Sequence, residues 1–154
     1  MLQPSAMRAL ALDVGTKTIG LALGDPDGVI ATPWDVWRRQ GEAADAAEIV
    51  RRVREREVGH LVVGLPLELD GREGRRARLV LRFAEAVRQA LVAAELGQVE
   101  LATWDERFST AAAERAMIEA DASRADRKQR IDAVAAQFIL QGWLDARRPS
   151  AVVP

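Results

Sequence analysis

Residues 60–65 read HLVVGL, an apolar run without the polar alternation of a half-wetted strand. A strand of this kind is buried on both faces, so something must pack on each side of the sheet that holds it. Helices are available to do so. Residues 41–57 carry Ile49, Val50 and Val53 at helical spacing between Arg and Glu, and residues 75–96 carry Leu79, Phe83, Val87 and Leu91 along one stripe.

The other strands are marked by turns. RALALD (8–13) and IGLALG (19–24) flank a short GTKT turn. Asp25-Pro26-Asp27-Gly28 is a strong turn signal leading into a third strand, VIATP (29–33), which makes an antiparallel meander. Pro66 ends the apolar run and a polar loop follows it to Gly74, while residues 99–104 form a last strand. Ser109 or Thr110 caps a helix through about Ala120, and Asp126 with Gln129 offers a capping box for a helix running from about Asp126 to Asp145. Three antiparallel strands followed by helix–strand–helix–strand–helix–helix predict an α/β fold, a mixed five-stranded sheet with helices on both faces. At 154 residues, one domain is expected.

Composition narrows the chemistry. The chain has no cysteine, which excludes disulfides, thiolate catalysis and cysteine-held zinc. His60 is its one histidine and sits at a strand entrance with no nucleophile motif nearby, a poor setting for a Ser-His-Asp triad. A catalytic metal would therefore be a hard ion held by carboxylates, Mg²⁺ or Mn²⁺. No apolar run approaches the roughly 20 residues of a bilayer span, and the start MLQPSAMR has no h-region, so the expectation is a cytoplasmic chain without a membrane partner.

The net charge of -1 gives no global attraction to nucleic acid. The basic residues are nearly all arginine, Lys17 and Lys128 being the only lysines, and they cluster at 51–56, 72–78 and 124–130. Such clusters suit solvated helix faces, and they also suit local phosphate binding.

In α/β sheets, sites gather at the carboxyl ends of strands. Asp13 ends the first strand and Glu106 follows the last. If the first, fourth and fifth strands are parallel neighbours, the two acids share one edge of the sheet. On the last helix, Ile131, Val134, Ala135, Phe138, Ile139 and Trp143 cover one arc at about 100° per residue, and Asp132 falls inside it. A carboxylate facing a core costs several kcal/mol unless it is compensated. A salt bridge to Lys128 or an arginine would compensate it, as would a helix start late enough to make Asp132 an N-cap. A cation shared with Asp13 and Glu106 would do so as well, in the manner of metal-dependent phosphodiester cleavage.

The stretches LDVGTKTIGLALGD (12–25), VVGLPLELDGREG (62–74), DERFSTAAAE (105–114) and KQRIDAVAAQFILQGWLD (128–145) together resemble the YqgF/RuvX family. The resemblance runs from about Arg8 to Arg147. It implies an RNase H-like fold, kinship with Holliday junction resolvases, and a nuclease that matures the 5′ end of pre-16S rRNA. By the same resemblance the acidic triad, catalytic and metal-binding, falls on Asp13, Glu106 and Asp132. The chain departs from the family's pattern at Glu68, where Asn is usual, and in DERFST where DERLTT-like text is usual, so that Phe108 replaces Leu while Ser109 keeps a hydroxyl.

Thr16, Lys17, Arg107, Ser109 and Lys128 stand beside these acids in sequence and are the candidate nucleic-acid contacts. For Lys17 and Thr16 the alternative is a plain hairpin turn, and for Arg107 it is pairing with Asp105. Trp34, Trp37, Trp104 and Trp143 could stack on bases, though Trp104 and Trp143 suit a core better. Structured RNA or branched DNA is the expected partner, and symmetric cutting of a four-way junction would require a homodimer.

Two other classes share some of these features. An actin- or sugar-kinase-like ATP-binding domain also opens on Asp-x-Gly-Thr, but it needs two such domains around a cleft. A catalytically idle RNA-binding module has no use for an acid inside an apolar helix face.

Overall fold

The computed structural model describes residues 8–108 and 124–147, with side chains for 8–107 and 131–147. The expected helix from Ser109 or Thr110 to about Ala120 lies outside them, as do the side chains of Asp126, Lys128, Gln129 and the arginines of the third cluster.

The chain runs β1 (Arg8–Val14), β2 (Thr18–Gly24), β3 (Ala31–Arg38), α1 (Glu42–Glu55), β4 (Val58–Leu65), α2 (Arg75–Ala93), β5 (Glu100–Asp105), a 3-10 turn (Glu106–Phe108) and α3 (Arg124–Arg147). The strands form one five-stranded sheet in the order β3-β2-β1-β4-β5. β2 runs antiparallel to β1 and β3, whereas β4 is parallel to both β1 and β5. The expected parallel trio of first, fourth and fifth strands is present, so the ends of β1 and β5 lie on the same edge.

Period-two alternation divides the strand residues between two cores. Leu10, Leu12, Val14, Ile19, Leu21, Leu61 and Val63 face α1 and α2. Ala9, Ala11, Ala22, Ala31 and Val62 face α3. The side chains are large on the first face and mostly alanine on the second, which lets α3 approach closely. Burial of each large aliphatic side chain contributes about 1.5–3 kcal/mol.

β3 is longer than the sequence predicts, extending past Pro33 to Arg38. Pro33 reads as a strand end because it has no amide to donate. On this edge strand it sits instead at a register shift, Leu21 pairing with Asp35 and Ala22 with Pro33, so that the ladder resumes beyond it.

The first arginine cluster ties β3 to α1. Arg52 is buried, bonds Glu48 and Asp35 at 2.7 and 2.8 Å, and lies over the rings of Trp34 and Trp37. Arg51 pairs with Glu48 and Glu55 on the exposed side of the helix. This cluster and the first two tryptophans are therefore occupied in packing. Trp143 is buried against α3's side of the sheet with Trp104 beside it, as expected for core residues. No helix among the described residues is long and apolar enough to cross a membrane.

Asp45 has no exposed surface, yet it is fully bonded. It accepts from Trp37 Nε1 at 3.0 Å, Arg39 Nε at 2.9 Å and the Gln40 amide at 2.7 Å. Burial pushes its pKa up, but the Gln40 amide, Arg39 and Trp37 outweigh that and hold it below the usual value. A depressed folded pKa contributes stability above the usual carboxylate range, and the contribution fades as pH falls through the folded value. Asp45→Asn is expected to destabilise the protein by about 2 kcal/mol at neutral pH, a figure discounted because Arg39 is partly exposed. The gap in melting temperature from wild type should close on acidification, and a constant gap would show that the carboxylate's charge contributes nothing.

Candidate active site

The tight turn between β1 and β2 is the floor of the site. The Gly15 amide donates to the Thr18 carbonyl at 2.9 Å and closes the turn, leaving the side chains of Thr16 and Lys17 exposed. Arg39 clamps the turn from below: its Nη1 donates to the Gly15 carbonyl at 3.0 Å, and its amide to the Lys17 carbonyl at 2.8 Å. Asp45 in turn holds Arg39 Nε at 2.9 Å. Neither Arg39 nor Asp45 stands out in the sequence, because their roles depend on the fold bringing β3 under the turn.

Asp13 is at the end of β1, on the alanine side of the sheet, and is only 9% exposed. Its cross-strand partner on β2 is Gly20. On the other side, continuing the pairing of Leu12 with Val63 by one residue brings it beside Gly64 of β4. Gly20 makes room for the α3 backbone at Asp132, and Gly64 makes room for Ile139 and Glu106. A Cβ on Gly20 would lie 2.0 Å from the Asp132 carbonyl oxygen, so the backbone of α3 rests directly on it. A Cβ on Gly64 would lie 2.8 Å from Glu106 Oε1, so the Glu106 carboxylate hangs over that position. Neighbouring strands are about 4.8 Å apart. Asp13 is thus flanked, one strand to either side, by Asp132 and Glu106.

α3 begins at Arg124, so Asp132 is well inside the helix and is no N-cap. Among the described side chains of this helix, Ala133, Ala135, Ala136, Ile139, Leu140, Trp143 and Leu144 are buried, whereas Ile131, Val134 and Phe138 are half-buried. The buried arc is therefore rotated from the one the apolar pattern predicts, and Asp132 lies at its centre. Its Oδ2 accepts a hydrogen bond from Thr18 Oγ1 at 2.5 Å. Thr18 is a site residue that sequence reasoning passed over, although its place two residues before Gly20 puts it on the same face.

A groove of about 960 Å³ opens over the turn, lined by Asp13, Thr16, Lys17, Thr18 and Asp132 among others. Glu106 is not part of its lining and stands on the far side of Asp13, over Gly64. Among the described residues, no three acidic or histidine side chains are drawn together into a formed cation cage. The donor set, carboxylate oxygen from three elements, is nevertheless of the kind that a hard divalent ion takes.

Arg107 is held by Asp105 through Nε at 3.0 Å and Nη2 at 2.6 Å, and its Nη1 donates to the Leu69 carbonyl at 3.2 Å. The Arg107 guanidinium holds the Asp105 pKa below its usual value. Arg107 thus pins the 67–74 loop to the end of β5, the pairing alternative for this residue. Ser109 and the Lys128 side chain lie outside the described residues. His60 stands apart from the acids, with Nδ1 3.2 Å from Glu100 and its ring against Trp143.

The sequence profile of the RuvX family, described as Holliday junction resolvase, matches residues 7–146. A candidate pre-16S rRNA nuclease of Myxococcus xanthus is 51% identical over 143 residues, covering 93% of this chain and 91% of the relative. One of the same description from Clostridium botulinum is 44% identical, covering 91% and 98%. Among solved structures, Thermus thermophilus RuvC in complex with a Holliday junction substrate superposes with a TM-score of 0.56 at 19% identity, covering 92% of this chain and 95% of that one. The yeast mitochondrial Holliday junction resolvase Ydc2 superposes with a TM-score of 0.54 at 12% identity, covering 94% and 80%. These likenesses show the RNase H-like fold. By the profile match and by relatives of this identity, the chain belongs to the RuvX family of Holliday junction resolvases.

Proposed function

We infer that the protein is a divalent-metal-dependent nuclease that cleaves phosphodiester bonds in structured nucleic acid, with precursor 16S rRNA as its substrate. The observation that carries this reading is the placement of Asp13 between two glycines, over which Asp132 and Glu106 approach. Close packing of α3 on Gly20 and of Ile139 on Gly64 accounts for the glycines, but it does not require that the residues brought over a nine-tenths-buried acid be two further acids. Family membership and the names of the relatives support both the nuclease activity and the substrate.

Asp13, Glu106 and Asp132 would hold Mg²⁺ or Mn²⁺. The bound ion would supply charge stabilisation at the scissile phosphate and a more acidic water. The chain's own residues do the positioning. Thr18 fixes the rotamer of Asp132, Arg39 and Asp45 hold the turn rigid, and Thr16 and Lys17 present a hydroxyl and a cation to the phosphate. Symmetric cutting of a four-way junction would add the requirement of a homodimer.

The test is a side-by-side cleavage assay on an RNA spanning the 5′ leader and 16S boundary and on a synthetic four-way DNA junction, with Mn²⁺, Mg²⁺ or EDTA. Cleavage of the RNA that depends on metal is expected; failure to cut either substrate with either metal rejects the nuclease reading. Asp132→Asn separates the metal role from a structural one. If Asp132 serves the metal and not the fold, this variant should melt no lower than wild type in EDTA, its Oδ1 still accepting from Thr18. It should also lose the Mn²⁺-induced rise of a few degrees, the scale of about 2.7 kcal/mol at a hundredfold excess over Kd. A variant that melts lower in EDTA but still responds to Mn²⁺ would make Asp132 a structural acid.

A further inference from the structure

Many of the described arginines are taken up in ion pairs. Arg39, Arg52, Arg72 and Arg107 each bond a carboxylate at 2.6–2.9 Å. Arg38 and Arg76 are exposed, and among the described residues neither forms such a pair, nor does Lys17. All three line the groove that holds Asp13 and Asp132. Arg38 pairs across the strands with Thr18, the residue whose hydroxyl bonds Asp132. Arg76, at the start of α2, also borders a second groove of about 280 Å³, which meets the first at Val14, Gly15 and Thr16.

The cations therefore border the turn beside the acids, along one continuous trough. Asp35, the remaining acid of the first groove, is bonded to Arg52 and does not neutralise them. Folding alone does not explain Arg76. It shares the first turn of α2 with Arg75, where no acidic residue offsets them and the helix dipole disfavours positive charge.

We propose that Arg38 and Arg76 form a phosphate-binding track that carries the sugar-phosphate backbone of the substrate strand on both sides of the scissile phosphate. The track rests on the nuclease reading. Guanidinium groups suit it because their planar fork takes two phosphate oxygens at once. Such contacts add affinity and orientation without reading sequence, as a substrate defined by its structure requires.

The experiment is fluorescence anisotropy with the full chain in EDTA, so that nothing is cut. The probes are a fluorescein-labelled RNA hairpin from the 16S leader and a labelled four-way DNA junction, each titrated over a range of KCl concentrations. Arg38→Ala and Arg76→Ala should each lower the slope of log affinity against log salt by about 0.7 to 0.9, and the double variant by about the sum. Arg88→Ala, which removes an exposed arginine paired with Glu85 and outside both grooves, should leave the slope unchanged. The Mn²⁺-induced rise in melting temperature should persist in Arg38→Ala and Arg76→Ala, because the acids are untouched. Slopes equal to wild type in both variants, or an equal drop in Arg88→Ala, would overturn the track while leaving the nuclease reading in place. A wild-type protein that binds neither probe would overturn both.

Discussion

Asp13→Asn is expected to abolish metal-dependent cleavage, by at least about a thousandfold, the scale of removing a group that acts in the transition state. The substitution keeps the shape of a side chain that is 9% exposed and sits between two close-packed strands. It removes the negative charge that a divalent ion would need, at the one position flanked by both other acids. Because the side-chain shape is kept, the variant should remain folded in EDTA. Cleavage time courses at saturating Mn²⁺, with circular dichroism to show an intact fold, provide the measurement. Wild-type turnover in a folded Asp13→Asn protein would remove Asp13 from the chemistry.

Gly20→Ala should produce the largest loss of stability. The new methyl would lie 2.0 Å from the Asp132 carbonyl oxygen and 2.3 Å from its carbon, and both atoms belong to the helix backbone. No rotamer change relieves that contact, so α3 must shift off the sheet. Overpacking of this kind costs about 3 kcal/mol or more, which in a chain of this length lowers the melting temperature by roughly 6 to 12 °C. Cleavage should fall as well, because Asp132 moves with the helix. Gly64→Ala provides the contrast. Its methyl would meet Ile139 Cδ1 at 2.5 Å and Glu106 Oε1 at 2.8 Å, both of them side-chain atoms that can give way. That variant should melt closer to wild type and lose cleavage through displacement of the Glu106 carboxylate. Thermal melts and cleavage rates of the two variants distinguish the cases, and a Gly20→Ala protein that melts like wild type would refute the close approach of α3.

Local periodicity was enough to reveal most of the fold. The alternation in RALALD and IGLALG, the unbroken HLVVGL run and the stripe of α2 each follow from packing rules that act within one element. The acids were legible too, since a strand-end Asp13 and an Asp132 inside an apolar arc are anomalies of their own segments. The extension of β3 was hidden because Pro33 ends a strand by local rules, and only its pairing with β2 shows a bulge on an edge. The true centre of the buried arc on α3 depended on which face meets the alanine side of the sheet, and no helix encodes that alone.

The meaning of the glycines lay furthest from the sequence. Gly20 and Gly64 are ordinary strand residues in their own segments, 44 positions apart in the chain. They become a site only when β2 and β4 flank β1, because that pairing sets them on either side of Asp13. Thr18 and Arg39 gain their roles in the same way, through a helix more than a hundred residues away and a strand folded back beneath the turn. By itself the sequence determined which elements form and which acids are out of place. The tertiary structure decided what surrounds those acids, because register between distant strands is a property of the assembled sheet.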